Sequence, residues 1–104
     1  MPWVRTIGVD ELEENKMTRT VLEDGHRIAL IRLEDGIYAL DDTCTHAEAS
    51  LSEGDIVGKH VRCPLHGAEF EIPTGQVKSF PAVVGVNSYE TKVEDDTILV
   101  KYEE

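Results

Sequence analysis

Residues 42–70 read DTCTHAEASLSEGDIVGKHVRCPLHGAEF, and this segment holds both cysteines of the chain and three of its four histidines. Cys44 and His46 are separated by one residue, Cys63 and His66 by two, and sixteen residues lie between the two pairs. Each pair offers one thiol and one imidazole, and both groups bind transition metals. The pattern therefore predicts a metal centre held by two loops, with Cys44, His46, Cys63 and His66 as ligands.

The two loops, CTH and CPLHG, resemble those of the Rieske family. The resemblance implies one [2Fe-2S] cluster per chain, in which Cys44 and Cys63 bind one iron while His46 and His66 bind the other. Thiolates suit iron that carries bridging sulfide. Neutral imidazoles leave the second iron less negatively surrounded, which raises the reduction potential.

Two cysteines and two histidines also satisfy a structural zinc ion, which prefers four tetrahedral sulfur and nitrogen ligands. Zinc modules usually pair ligands of one kind at short spacing, whereas both short pairs here are mixed. A Cys/His nucleophile pair is a weaker alternative, because it leaves the second pair without a role. The iron-sulfur interpretation is favoured, and a zinc-stabilised interaction module is the alternative from another class.

Residues around the ligands carry further features of the second loop and of a third segment. Gly67 follows a ligand directly, so it permits a positive φ and close approach of backbone N–H groups to the cluster, although an ordinary turn also explains it. Pro64 stiffens the second loop by fixing φ. By resemblance, Phe80-Pro81-Ala82 matches a proline-bearing segment that covers the cluster in the family. Family members often have another proline shortly afterwards, where this chain has Val83-Val84-Gly85.

Short apolar runs separated by turn residues predict an all-β chain, and 104 residues predict one domain. The resemblance makes this fold a Rieske-like antiparallel β-sandwich base (1–41 and 82–104) with a smaller cluster-binding subdomain (about 42–81). Residues 9–15 are expected to form a loop or one helical turn, and His26 is expected in an exposed turn. The predicted strands are 3–7, 16–22, 26–33, 37–40, 56–57, 60–62, 68–72, 86–93 and 97–102.

Comparison with the high-potential Rieske proteins of respiratory complexes predicts a low reduction potential. Those proteins have an additional disulfide at positions matching Ala49 and Leu65, and its absence here suits a reducing compartment. They also place Ser and Tyr hydroxyls near the cluster, at positions matching Ala68 and Phe70, where the hydroxyls stabilise the added electron. We therefore expect a potential near the lower end of about −150 to +300 mV. Phe70 is also expected to be a core residue.

Charge is the second strong signal, because 21 Asp and Glu against 10 Lys and Arg give a formal net charge of −11. Such a chain is a poor partner for nucleic acid. The acidity either keeps a small protein soluble or provides a docking surface that attracts basic patches on redox partners. The second interpretation relies on acidic residues close to the ligands in sequence, namely Asp41, Asp42, Glu48, Glu53, Asp55, Glu69 and Glu71.

The chain has no glycine-rich nucleotide fingerprint and no second metal constellation, so we expect a carrier and not an enzyme. It is similar to the Rieske-type ferredoxins of bacterial aromatic-ring-hydroxylating dioxygenase systems. The resemblance implies electron transfer from an NAD(P)H-dependent flavoprotein reductase to a terminal oxygenase, with both partners docking transiently near His46 and His66. The small subunit of an NAD(P)H-dependent nitrite reductase is the alternative within the family.

The N-terminal sequence MPWVRTIGVDELEEN interrupts every apolar run with charge, and the longest aliphatic stretch nearby is Ile28-Ala29-Leu30-Ile31. Neither pattern is long enough for a secretory or membrane-spanning segment. A soluble, cytoplasmic protein with no membrane partner is therefore expected.

Overall fold

The computed structural model describes residues 2–43, 49–64, 67–78 and 85–102. These ranges form strands and two short 3₁₀ turns, Val9–Glu11 and Leu51–Glu53, and the all-β prediction is confirmed. No helix in these ranges has the length and apolar character needed to cross a membrane. The strands are β1 Trp3–Gly8, β2 Lys16–Val21, β3 Arg27–Leu33, β4 Gly36–Asp41, β5 Asp55–Val57, β6 His60–Arg62, β7 Glu69–Glu71, β8 Ser88–Tyr89, β9 Thr91–Glu94 and β10 Thr97–Lys101.

Within the described ranges the strands form three antiparallel sheets. The outer sheet has the order β1-β10-β9, the middle sheet β2-β3-β4-β8 and the small sheet β5-β6-β7. The outer and middle sheets form the predicted sandwich base, and a core of buried side chains lies between them. These buried residues are Leu12, Leu22, Ile28, Leu30, Ala39, Ile98 and Val100.

Within the middle sheet, residues 28–31 of β3 are covered on both faces, which explains their apolar run. Successive side chains of a strand point to opposite faces. Ile28 and Leu30 accordingly lie in the core shared with the outer sheet, while Ile31 and Leu33 lie in a second core shared with the small sheet. A strand buried on both faces shows no alternation of apolar and polar residues, so its sequence is continuously apolar.

The small sheet lies on the second face of the middle sheet and positions the region around Cys63. Val61 of β6 pairs with Phe70 of β7, and both side chains are fully buried in the second core. The predicted core role of Phe70 is confirmed. Lys59 Nζ lies 2.9 Å from Asp35 Oδ2, which holds the β5–β6 turn beside the β3–β4 turn. Strand β6 therefore leads away from that end of the molecule and ends directly before Cys63.

Residues 86–93 differ from their prediction as one strand. Ser88–Tyr89 forms β8 at the edge of the middle sheet, where Tyr89 pairs with Ala39, whereas Thr91–Glu94 forms β9 in the outer sheet. Between them, the Glu90 carbonyl accepts a hydrogen bond of 2.9 Å from the Lys101 N–H. The chain changes sheets at this residue. The alternation of apolar and polar residues does not predict such a change of pairing strand.

Candidate metal centre

Cys63 is the predicted ligand that lies within the described residues. It directly follows β6, only 1% of it is exposed, and within the described ranges its thiol forms no disulfide. The other predicted ligands, Cys44, His46 and His66, lie outside the described residues, as does Phe80-Pro81-Ala82. Their roles therefore stay predictions from the sequence.

The loop after Cys63 is short and closed by the backbone. The Cys63 N–H donates a hydrogen bond of 2.8 Å to the carbonyl of Ala68, just before β7 begins. Gly67 has a φ of +73°, as anticipated, and this left-handed conformation strongly favours glycine. The hydrogen bond between Cys63 and Ala68 thus continues the antiparallel pairing of β6 and β7.

Gly54 allows two backbone segments to approach each other beside this loop. A Cβ atom placed on Gly54 would overlap the carbonyl group of Arg62, and it would lie 3.1 Å from Cδ of Pro64. Arg62 and Pro64 are the two neighbours of Cys63. The missing side chain at Gly54 therefore sets how closely the segment before β5 packs against the predicted ligand.

The ends of the first predicted ligand loop are held by backbone pairing and by a buried carboxylate. Thr43 forms an isolated antiparallel bridge with Ser50, and the Leu51 N–H donates to the Asp42 carbonyl at 2.7 Å. The Asp42 side chain is fully buried, and its Oδ1 accepts a hydrogen bond of 2.9 Å from the Ser52 N–H. Its Oδ2 has no hydrogen-bond partner among the residues that the structure describes.

Two glycines in close contact, Gly75 and Gly85, lie on either side of the part of the chain that contains the predicted third segment, Phe80-Pro81-Ala82. The Val86 N–H donates a hydrogen bond of 2.8 Å to the carbonyl of Gly75. A Cβ atom on Gly85 would lie 2.5 Å from that same carbonyl oxygen, and one on Gly75 would overlap the carbonyl oxygen of Val86. Backbone contact between glycines thus brings the two sides of residues 76–84 together, without the second proline that family members often carry.

The described surroundings of Cys63 fit an iron-sulfur cluster. The buried thiol can act as a thiolate ligand, and Ala68 and Phe70 beside it are fully buried in the second core, so protein covers this side of the site. Ala68 and Phe70 bring no hydroxyl to the cluster, and the low potential stays a prediction. No group of three His, Cys, Asp or Glu side chains suited to a metal is present in the described part of the chain.

A polar network around His26 is not predicted by the sequence pattern. His26 was expected in an exposed turn, but its Nε2 lies 2.6 Å from Asp41 Oδ1, and its ring stacks on Tyr102 at 5.1 Å between centroids. The Tyr89 hydroxyl donates to the same Asp41 oxygen at 2.6 Å. Asp24 completes the network, since it accepts a hydrogen bond of 2.6 Å from the Tyr102 hydroxyl. These residues come from four separate parts of the chain, so no local sequence pattern predicts the network.

The network raises the pKa of Tyr89 far above its usual value, chiefly because the phenol is removed from water and then because it donates to Asp41. In the unfolded chain the pKa of this tyrosine is about 10, which is lower than its pKa in the folded protein. The neutral phenol therefore stabilises the fold at pH values below about 10, and this stabilisation is lost as the pH rises further.

We therefore expect Tyr89→Phe to lower stability by about 1–2 kcal/mol at pH 7, because it removes a hydrogen bond to a charged group. The difference between variant and native protein should shrink above pH about 10, where the native tyrosine begins to favour unfolding. Urea unfolding at pH 7 and pH 11 measures both effects. An equal difference at the two pH values would contradict the role given to Tyr89.

The acidic residues near the ligands in sequence differ in exposure and in partners, and a docking surface formed by them stays a prediction. Asp42 is buried and Asp41 belongs to the His26 network. Glu69 lies 3.3 Å from His60 Nδ1 and 3.6 Å from Arg62 Nε. Glu71 is held by the Thr74 hydroxyl and by Lys78, which both keep its pKa below the usual value. Glu53 and Asp55 are exposed, and Glu48 lies outside the described residues.

An all-β chain with a buried cysteine at a glycine-bearing hairpin loop, beside a sandwich base, is the architecture of a Rieske-type iron-sulfur protein. The family model of the Rieske [2Fe-2S] domain matches residues 2–90. The chain therefore belongs to the Rieske [2Fe-2S] domain family, and the predicted family, fold and [2Fe-2S] cofactor are confirmed. The zinc module is not supported.

Individual relatives agree with this assignment. The chain is 33% identical over 101 residues to the ferredoxin component of the naphthalene 1,2-dioxygenase/salicylate 5-hydroxylase systems of a Ralstonia species, which covers 97% of this chain and 96% of the relative. A chain in the solved complex of reduced oxygenase and oxidized ferredoxin in carbazole 1,9a-dioxygenase superposes with a TM-score of 0.88 at 32% identity, with 97% of both chains covered. Such relatives are electron-transfer components, which confirms the expectation that the chain is not itself an enzyme.

A third similar structure is described as the small subunit of an NADH-dependent nitrite reductase from Mycobacterium tuberculosis. Its TM-score is 0.87 at 24% identity, with 99% of this chain and 96% of that chain covered. At this identity the similarity is one of fold alone.

Proposed function

We propose that this protein is the ferredoxin of an aromatic-ring dioxygenase system, carrying single electrons from an NAD(P)H-dependent flavoprotein reductase to a terminal oxygenase. The observation that carries the proposal is similarity over nearly the whole chain to ferredoxin components of such systems, including a ferredoxin solved together with its oxygenase. A small chain with one [2Fe-2S] domain suits a carrier. The proposed role places it in the cytoplasm, where NAD(P)H is produced.

The proposed ligands are Cys44 and Cys63 for one iron and His46 and His66 for the other. The bound cluster supplies reversible transfer of one electron at a time. The chain supplies the buried thiol of Cys63, a loop closed by the Cys63–Ala68 hydrogen bond, and backbone contact at Gly54. Both partners are proposed to dock near His46 and His66, since metal-bound imidazoles keep one ring nitrogen free to face a partner.

The proposed division into a base (1–41 and 82–104) and a cluster-binding subdomain (about 42–81) is supported by the separate small sheet β5-β6-β7. Strand β8, which follows the second boundary, pairs with β4 of the base. The two parts share the second core, so they are subdomains of one folding unit.

Replacing each proposed ligand with alanine tests the site. We expect Cys44→Ala, His46→Ala, Cys63→Ala and His66→Ala each to abolish cluster binding, because one iron then lacks a ligand. Iron, acid-labile sulfide and visible absorption of the purified proteins measure the loss. His60→Ala is the matched control: His60 faces Glu69 in the small sheet, and its removal should leave the native iron and sulfide content. A ligand variant that keeps its full iron content would contradict the assignment.

Reconstitution tests the role as a carrier. The holo-protein is mixed with purified reductase and terminal oxygenase of a naphthalene dioxygenase system, and NADH-dependent formation of the dihydrodiol is measured. We expect turnover that requires this protein. Turnover with a nitrite reductase catalytic subunit, and none with any ring dioxygenase, would instead favour the nitrite reductase alternative.

A further inference from the structure

Two arginines and one apolar residue share an exposed surface at the end of β2 and the start of β3. Arg27 pairs directly with Val21, and Arg19 lies two residues before Val21 on the same strand. Cross-strand partners and residues two apart project from the same face of a sheet. Arg19, Val21 and Arg27 therefore form one surface, here named the arginine patch. Both arginines are exposed, and Val21 is 58% exposed.

The arginine patch borders the first predicted ligand loop. Arg19 Nη1 donates a hydrogen bond of 3.1 Å to Oγ of Ser50. Arg27 lines a cleft of about 390 Å³ together with Thr43, Ala49 and Ser50. Thr43 and Ala49 are the residues on either side of segment 44–48, which contains two of the four proposed ligands. A partner that covers the patch is therefore brought next to the proposed electron-transfer site.

Neither arginine of the patch has an acidic partner among the described residues. Most lysines of the described chain do have one: Lys59, Lys78, Lys92 and Lys101 each lie within 3.3 Å of a carboxylate. The adjoining turn carries Glu23 and Asp24, of which Asp24 is engaged by Tyr102 and by the His26 N–H. In a chain with a net charge of −11, Arg19 and Arg27 are thus two neighbouring guanidinium groups that no carboxylate of the described residues pairs with.

Exposed acidic side chains gather at another part of the molecule. The Val9 N–H donates to the Asp96 carbonyl at 2.8 Å, which joins the 3₁₀ turn after β1 to the β9–β10 turn. Arg32, near the end of β3, donates to the Leu12 carbonyl at 2.9 Å, so this acidic region lies at the end of β3 opposite to Arg27. Its exposed acidic residues are Asp10, Glu11, Glu13, Glu14, Glu94, Asp95 and Asp96.

We propose that the arginine patch is a docking surface for carboxylate side chains on a redox partner of this protein. The proposal rests on the proposed function and reverses the sign of the partner surface considered from the sequence. Guanidinium groups bind carboxylates in a planar, bidentate geometry and lose less hydration than ammonium groups, and Val21 adds an apolar contact. At about 0.1 M salt, charges beyond about 10 Å are screened, so the distant acidic region does not cancel the local attraction.

The test compares the holo-protein with Arg19→Gln/Arg27→Gln and with the control Lys16→Gln/Lys92→Gln. Both double variants remove two positive charges; Lys16 lies at the other end of β2, and Lys92 lies on β9 of the outer sheet. Stopped-flow rates of electron transfer from the reductase and to the oxygenase are measured from low to moderate ionic strength. With at least one partner, the patch variant should transfer electrons about tenfold more slowly at about 0.1 M salt, where the distant acidic region is screened. The control should stay within about twofold of the native rate.

The sign of the effect decides between acidic and basic partners. If the partner surface is basic, removing the arginines raises the rate, and this result overturns the proposal, as does an unchanged rate with both partners. An unchanged visible spectrum and midpoint potential show that the patch variant keeps its cluster. Native protein that transfers no electrons in this system overturns the proposed function and the docking surface together, whereas active native protein with an equally active patch variant overturns the docking surface alone.

Discussion

Gly54→Ala should destabilise the protein by about 3 kcal/mol, as overpacking against rigid backbone does. The added Cβ would overlap the Arg62 carbonyl group and press on the ring of Pro64. Because Arg62 and Pro64 flank Cys63, the loop that holds this predicted ligand has to shift. We expect a Tm lower by roughly 15 °C and a lower cluster content, measured by calorimetry and by iron analysis.

Gly8→Ala is the matched control for this substitution. Gly8 also has an ordinary negative φ, of −70°, but its nearest side-chain neighbours are carboxylate oxygens of Asp10 and Glu11, at 3.0 and 3.1 Å. Flexible side chains can move aside, so this variant should lose less than about 1 kcal/mol. Equal losses for the two variants would show that contact with the backbone beside Cys63 is not the cause.

Gly75→Ala should destabilise the protein still more, by about 4 kcal/mol, because backbone strain and steric overlap both contribute. Gly75 has a φ of +78°, and a Cβ there would also overlap the carbonyl oxygen of Val86. The contact joins the two sides of residues 76–84, the region in which the sequence predicts a segment covering the cluster. Faster loss of the cluster on exposure to a chelator, followed by visible absorption, should accompany the loss of stability.

Gly25→Ala separates the effect of backbone strain from that of steric overlap. Gly25 has a similar φ of +89°, but no atom lies within 4 Å of its added Cβ. Its replacement should therefore show conformational strain alone, about 1 kcal/mol. If Gly25→Ala proves as harmful as Gly75→Ala, the close approach to Val86 has no role of its own.

Local patterns were sufficient for most strands and for the positive φ of Gly67. The hairpin of β2 and β3 follows from apolar runs around Glu23-Asp24-Gly25, and the φ of Gly67 was expected from its place after a predicted ligand. Interactions between distant parts of the chain could not be predicted from local patterns. The division of residues 86–93 between two sheets depends on which strand lies beside each half.

Burial of charged and polar residues was the main source of error at the candidate site. Asp42 was counted among docking charges, but it is fully buried and binds the Ser52 N–H. His26 follows the predicted turn and its side chain is 34% exposed, but its contacts with Asp41, Tyr89 and Tyr102 were not predicted. The sequence does not show whether an acidic or histidine side chain is exposed or buried, because this depends on which distant residues the fold brings next to it.

The middle sheet contributes buried side chains to both cores, and this connects metal supply with the behaviour of newly made chains. Ile31, Leu33 and Leu40 pack with the small sheet, whose strands β5 and β6 lie between the proposed cysteine ligands. We expect that a chain whose small sheet is not yet packed here exposes these apolar side chains, which promotes association with other chains or capture by chaperones. Because the proposed ligands come from the segments beside this sheet, iron binding is expected to increase the number of chains that escape aggregation, in addition to enabling them to carry an electron.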